Sequence, residues 1–496
     1  MNYPLTETSN GKGSPAKKTK PELTQAQLGA ISSDTRQLQV VFQTVEGIAL
    51  RGVPARITQH GTVFELYSAD LVPKFSESLK DFQIVGPEGI LYSGRAVVDN
   101  LVSDGIKVTC EVSLDEYSWS NLIFNLGEPG RKPSGAGLAH FFQGWQKLYL
   151  VEQDYKVAIA DLQTFMVHLR QWLGRAEIEI SRATVSDRSR RADEFVLELR
   201  TPVLDALDSL YEQFEVVSER IAPSARPAHR AYGRQQLHPL ILGSPFMHRT
   251  FTKPLGYAGD YEMMNMIVRN GLEGNSVFAK LINAHLLDQP PCHAVRNRVD
   301  FLNSRIIEEA GRVALRGGIA RVYCVACGPA WEVVNFVAEH PLADKVVFEL
   351  LDFNEETLRR TGEKLNQTIH NHHRQTKVKL VKNSIQNLLR SMGKRSGEFD
   401  LIYCSGLYDY LSDAVSQALN NYLYDMLASG GLLVVGNFAT GTSGRNLMEH
   451  LMDWFLIYRD PRELLALAPQ QANLEYCRVR SEFAAANLFL EARKVA

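Results

Sequence analysis

The chain has 496 residues, 45% of them hydrophobic and 22% charged, with a formal net charge of −2 at pH 7. This composition excludes wholesale disorder, and the length exceeds one ordinary core, so several domains are expected. The near-zero charge offers no basic surface for nucleic acid, and no apolar run reaches the roughly 18 residues of a membrane-crossing helix. The polar start has no apolar signal-peptide core, so the expected location is cytoplasmic, with no transmembrane segment. Six cysteines, most in apolar surroundings, fit buried reduced thiols, and neither they nor the histidines form a metal-ligand set.

Residues 1–30 hold Lys12, Lys17, Lys18 and Lys20 among Gly, Ser and Pro and are expected to be a disordered tail. Over 31–125 the pattern changes to short alternating runs: Leu38–Phe42, Val63–Tyr67, Phe82–Val85, Gly89–Tyr92 and Ile106–Val112. Turns such as Pro87-Glu88-Gly89 separate them, which predicts a small antiparallel β-barrel. The segment resembles a PilZ-type barrel in fold. The turn matching that family's cyclic-dinucleotide signature, Thr58-Gln59-His60-Gly61, lacks its Asp and Ser, and no RxxxR precedes the first strand, so cyclic dinucleotide binding is not expected.

Gly127–Gly137 is too rich in glycine and proline for strand or helix and reads as a linker. Residues 138–225 turn helical, with apolar residues three to four apart in Val157–Leu169 and Phe195–Tyr211, predicting a spacer or a homo-oligomer contact. Ala222–Pro239, rich in Pro, Arg and His, reads as a second linker. From 240 to 496 strand and helix patterns alternate, predicting a doubly wound α/β sheet with a cap over 240–290. Its expected strands are 319–326, 345–351, 377–382, 398–404, 430–437, and an antiparallel pair near 475–480 and 485–493.

In such a sheet ligands sit beyond the carboxyl ends of the strands. The tips are Ala326-Cys327-Gly328-Pro329, Asp352-Phe353, Asn383-Ser384 and Ser405–Asp409. Gly328 lets backbone amides approach a ligand, and Asp352 lies 24 residues on, where a carboxylate accepts from ribose hydroxyls. Phe353 supplies a flat wall for a base. The phosphate-cradling GxGxxG is absent, which disfavours a dinucleotide.

These tips, with the fourth strand Phe399–Cys404 and the Leu427-Ala-Ser-Gly-Gly-Leu-Leu-Val-Val run, resemble class I S-adenosylmethionine-dependent methyltransferases over about residues 290–496. The resemblance implies S-adenosyl-L-methionine as cofactor, held by Cys327, Gly328, Pro329, Asp352, Phe353, Asn383, Ser384 and Ser405. Tyr408 would face the sulfonium. The segment Lys253-Pro-Leu-Gly-Tyr-Ala-Gly-Asp-Tyr-Glu-Met-Met, with Ala294–Asp300, further resembles bacterial 3-hydroxypalmitic acid methyl ester biosynthesis proteins. That implies a small-molecule acceptor, a fatty-acid carboxylate converted to a methyl ester signal. Tyr257 and Tyr261 are then expected as acceptor walls, and Arg249, Arg296 or Arg298 as a fork for the carboxylate. A hydroxyl or amine acceptor would need a base, for which His248 or Asp260 is available. The alternative is a signalling or scaffold protein whose methyltransferase-like sheet binds the cofactor without turnover.

Overall fold

The computed structural model describes residues 38–58, 60–67, 73–86, 89–103, 107–115, 118–119, 151–182, 184–390 and 397–495. The expected tail, the Gly127–Gly137 linker and part of the Thr58–Gly61 turn lie outside them.

Seven strands build the N-terminal unit: β1 (Gln39–Gln43), β2 (Ala49–Thr58), β3 (Gly61–Leu66), β4 (Ser78–Gly86), β5 (Gly89–Ser93), β6 (Ala96–Ser103) and β7 (Val108–Leu114). The order β1-β2-β3-β7-β6-β4 closes through a β1–β4 pairing into a six-stranded antiparallel barrel, with β5 as a hairpin on β4. Alternation turns Val40, Phe42, Phe64, Phe82, Ile84 and Val112 inward, so the barrel fills with its own side chains. None of the alternating runs of the sequence covers β2 or β6. In β2, Gly52 and Pro54 interrupt the apolar alternation, yet a Cβ on Gly52 would lie 2.5 Å from the Phe64 ring, and the register shifts between Pro54 and Arg56. Glycine and proline here mark close packing and a bulge.

Helices α1 (Gln153–Ser181), α2 (Val185–Glu219), α3 (Arg226–Ile241), α4 (Pro245–Thr252), α5 (Tyr261–Arg269), α6 (Val277–Leu287) and α7 (Pro290–Ala314) follow. The expected linker 222–239 is thus largely helix α3. It buries His229, Arg230, Gly233, Leu237 and Leu240 at helical spacing. Three of those five are polar or glycine, so hydrophobic periodicity does not reveal the stripe, and Pro227 occupies the first turn, where a missing N–H costs nothing. Helices α1 to α7 share one core with the C-terminal segment around Leu447, Leu451 and Trp454. They are packed on the rest of the chain, not strung between domains.

The C-terminal unit contains β8 (Ala320–Val325), α8 (Trp331–Glu339), β9 (Val346–Asp352), α9 (Glu355–Asn371), β10 (Lys377–Lys382), α10 (Ile385–Arg390), β11 (Phe399–Cys404), α11 (Asp413–Asp425), β12 (Leu427–Phe438), α12 (Arg445–Leu451), α13 (Pro461–Ala466), β13 (Cys477–Ser481) and β14 (Asn487–Arg493). All seven expected strands are present. The sheet order is β10-β9-β8-β11-β12-β14-β13, parallel from β10 to β12. Strand β14 is antiparallel to both its neighbours, as the short β13–β14 connection requires. Alternate residues such as Ile402 and Cys404, against Leu401 and Tyr403, feed separate cores on the two faces. The strand order reverses between β8 and β11, which places the ligand crevice beyond those two tips.

Candidate active site

A cleft opens at that switch point, enclosing about 1330 Å³ of empty space with its mouth included. Its floor is the turn after β8. Ala326, Gly328 and Ala330 all adopt positive φ, at 54°, 52° and 48°. For the two alanines this left-handed backbone costs about 1–2 kcal/mol each. It folds the turn so that Gly328 presents its bare Cα to the cleft: a Cβ there would meet nothing within 4 Å. The space a side chain would fill is left for a ligand.

The Asp352 carboxylate sits beside this turn. It accepts from the Gly328 amide at 3.1 Å and from the Asn354 amide at 2.9 Å, one bond to each oxygen. Burial pushes its pKa up, and the backbone amides oppose that shift only in part. Each oxygen keeps a free lone pair for a hydroxyl. Phe353, with Tyr257 at a ring distance of 5.2 Å, and Asn383 form the adjoining wall.

Two further carboxyls line the cleft. Glu332 is buried on the first turn of α8 and accepts from Tyr403 Oη at 2.7 Å. Asp409 follows β11 and accepts from the Phe438 amide at 2.7 Å. Burial raises both, Asp409 to about 7. Arg298, from α7, is the guanidinium on this wall. Much of the remaining lining is apolar, with Met264, Val268, Val295, Val299, Leu407, Phe438, Trp454 and Leu456.

The cap is tied down on both sides. Tyr261 Oη donates to Glu356 at 2.8 Å, and Trp331 Nε1 donates to Asn265 at 2.8 Å. Gly256 and Gly259 make the bends, at φ 87° and 75°. The barrel adds a wall of its own, Lys74 and Phe75. Lys74 Nζ lies 4.3 Å from the centre of the Phe353 ring and pairs with Glu46 at 2.8 Å.

Of the residues expected from the sequence, Cys327, Gly328, Pro329, Asp352, Phe353, Asn383, Ser405, Tyr257 and Tyr261 all line this cleft. Ser384 does not; its hydroxyl accepts from the Asn387 amide at the start of α10. Tyr408 is fully buried and donates to Asn420, away from the cleft, because the 3₁₀ turn Tyr408–Tyr410 presents Asp409 and Tyr410 there. His248 is exposed on α4, off the cleft wall. Asp260 caps α5 through the Met263 amide and holds Arg249 Nε at 2.9 Å, so that pair braces the cap. Arg296 donates to the carbonyls of Ile267 and Leu287.

Glu332 was legible only as a carboxylate in the first turn after the glycine bend. Lys74 and Phe75 carried no sequence signal, since nearly the whole helical region separates them from the strand tips. Cys324 and Cys327 are buried, with thiols raised by burial, as core and loop lining. Among the described residues no group of three or more His, Cys, Asp or Glu is arranged to hold a metal ion, and no helix is long and apolar enough to cross a membrane.

No family model matches the chain. No curated protein matches it. Among solved structures it is similar to a possible exported protein from Bordetella parapertussis, at 14% identity and a TM-score of 0.39, over 63% of this chain and all of that one. It is also similar to the N-methyltransferase NodS from Bradyrhizobium japonicum, in complex with S-adenosyl-L-homocysteine, at 15% identity and 0.29, over 47% and 97% of the two chains. A third is magnesium protoporphyrin IX methyltransferase from Synechocystis, at 12% and 0.29, over 41% and 86%. Likenesses this distant assign no chemistry to the chain.

Proposed function

We propose that this protein is an S-adenosylmethionine-dependent methyltransferase acting on a small molecule. The observation that carries this reading is the charge pattern of the cleft: among the described residues, three carboxyls, Asp352, Glu332 and Asp409, stand with the guanidinium of Arg298, and the other lining cation, Lys74, is already paired with Glu46. A donor bearing a sulfonium, an ammonium and one carboxylate complements that set, whereas a pyrophosphate would face three acids without a phosphate cradle. The bare face of Gly328 supports the fit, since it leaves room at the switch point for a backbone-hugging ligand.

When bound, S-adenosylmethionine supplies a methyl group activated by its sulfonium. The chain's residues bind and orient. Asp352 accepts from ribose hydroxyls, Phe353 and Asn383 flank the base, and Glu332 and Asp409 receive the positive charges. A cation among these carboxyls restores the ionised form that burial disfavours. The wall of Met264, Tyr410, Phe438, Trp454 and Leu456 excludes water and fits an apolar acceptor body. The finer reading is a hydroxy fatty acid methylated on its carboxylate, supported by the Lys253–Met264 resemblance and by this apolar wall. A carboxylate of ordinary pKa is already ionised at pH 7, so alignment suffices and no base is needed. If the acceptor is a hydroxyl, Asp409, poised near neutrality on the cleft wall, is placed to take its proton.

Calorimetric titration with S-adenosylmethionine, followed by incubation of the protein and labelled donor with a cellular lipid extract, tests this. The expected result is saturable binding and a labelled lipid product identifiable by mass spectrometry. Binding without any labelled product would favour a scaffold, and no binding at all would remove the proposal.

A further inference from the structure

Helix α7 buries one face at helical spacing, through Val295, Arg298, Leu302, Arg305, Glu309 and Val313. Three charged side chains interrupt it, and two are neutralised by ion pairs. Arg305 pairs with Glu308 at 2.7 Å and reaches Glu491 at 3.4 Å, while Glu309 holds Arg312 at 2.6 Å and Arg493 at 2.5 Å. Arg298 is different. It is only 9% exposed, yet among the described residues no carboxylate lies within ion-pair distance, and its one hydrogen-bond acceptor is the Met264 thioether, 3.3 Å from Nη2.

A buried cation without an oxygen acceptor is costly and is rarely kept for packing alone. The surrounding backbone makes room for it. Gly406, at the tip of β11, lies so close that a Cβ there would sit 3.0 Å from Nη1 and 3.3 Å from Nη2 of Arg298. The guanidinium therefore lies against a bare glycine on the cleft wall, next to the crevice between β8 and β11. Its forked donors suit a carboxylate in two-point contact.

Resting on the donor reading above, we infer that Arg298 is the carboxylate receptor of the donor site, with Gly406 the residue that admits it. The methionine carboxylate of the cofactor is assigned to this fork, while Glu332 and Asp409 face the ammonium and sulfonium.

The test compares two ligands by calorimetry on the full chain: S-adenosylhomocysteine, which carries the amino-acid carboxylate, and 5′-methylthioadenosine, which lacks it. Arg298→Met is expected to weaken S-adenosylhomocysteine roughly 10- to 100-fold and leave methylthioadenosine within about twofold, as befits the loss of charge-assisted hydrogen bonds to one group. Arg298→Lys, which keeps the charge but not the fork, should fall between. Because the methionine replaces an unpaired buried charge with an apolar chain of similar reach, the melting temperature should hold or rise, which separates lost binding from lost folding. Equal weakening of both ligands would overturn the assignment in favour of a packing role. Unchanged S-adenosylhomocysteine affinity would overturn it too and hand the guanidinium to a carboxylate of the acceptor. Wild-type protein that binds neither ligand would bring down the donor reading itself, and the assignment with it.

Discussion

At Asp352 one side chain does two jobs, shaping the glycine turn through the Gly328 amide and facing the cleft. Asp352→Ala removes both, so S-adenosylhomocysteine affinity is expected to fall at least about tenfold, from loss of one charge-assisted hydrogen bond and of the turn it braces. Asparagine there should recover part of the loss, because it keeps one acceptor oxygen. Asp409 makes a prediction about pH. Burial holds its pKa near 7 in the folded chain against 3.8 ordinarily; the Phe438 amide, Arg298 and Arg459 offset that only partly. The folded protein therefore keeps a proton that the unfolded chain has lost, and stability falls as pH rises between those two values. Asp409→Asn imitates the protonated form. Its gain in melting temperature over wild type should be absent near pH 4 and complete near pH 8; a gain independent of pH would assign the effect to packing.

At the scale of elements, the turn joining β8 to α8 stores strain in the way sites often do. Ala326 occupies left-handed backbone where glycine would rest easily. Ala326→Gly relieves about 1–2 kcal/mol of steric strain and adds roughly 0.5–1 kcal/mol of unfolded-state entropy. The variant should be unchanged or up to about 1.5 kcal/mol more stable in urea unfolding, opposite to the usual cost of such a change. A clear loss of stability would show that the methyl group's contacts outweigh the strain. The same element logic explains α3: helical spacing is present in His229, Arg230, Gly233 and Leu237, but the buried side chains are those whose partners come from other elements. Arg230 pairs with Asp99 of β6 at 3.1 Å, and His229 Nε2 accepts from the Glu152 amide at 3.0 Å.

Across the whole molecule, the barrel is docked onto the cap and the C-terminal unit by an ionic knot. Asp453, with no exposed side chain, pairs with Arg95 of the barrel and Arg234 of α3, each at 2.5 Å. Burial would raise this carboxyl, but the fields of Arg234, Arg95 and Lys253 outweigh it and hold it well below the usual range. Nearby, Ser78 donates its amide to Gly256 O at 2.8 Å, and Ser76 Oγ accepts from the Phe455 amide at 3.1 Å. This docking carries Lys74 and Phe75 to the cleft. Arg95→Ala should cost at least about 2 kcal/mol, less than the roughly 3–5 of a buried pair broken outright, since Arg234 remains. It should also raise amide exchange in β4 and weaken donor binding, because one wall loosens. Faster exchange with unchanged affinity would mean that the barrel is attached to the site without serving it.

The strands of the C-terminal sheet and the tips Gly328, Asp352, Asn383 and Ser405 were readable from the chain because they rest on local facts: apolar runs of strand length, a glycine that ends one, a carboxylate that ends the next. Which charged groups stand free was not readable. Arg249, Arg296 and Arg298 look alike in sequence, and only packing showed that the first is claimed by Asp260, the second by two backbone carbonyls, and the third by no oxygen among the described residues. Likewise the half-turn after β11 decided that Asp409 and not Tyr408 reaches the cleft, and the docking of a distant barrel decided that Lys74 and Phe75 do. Secondary structure follows from short-range periodicity. Whether a polar group is satisfied depends on every element packed around it, and that is set by the tertiary fold alone.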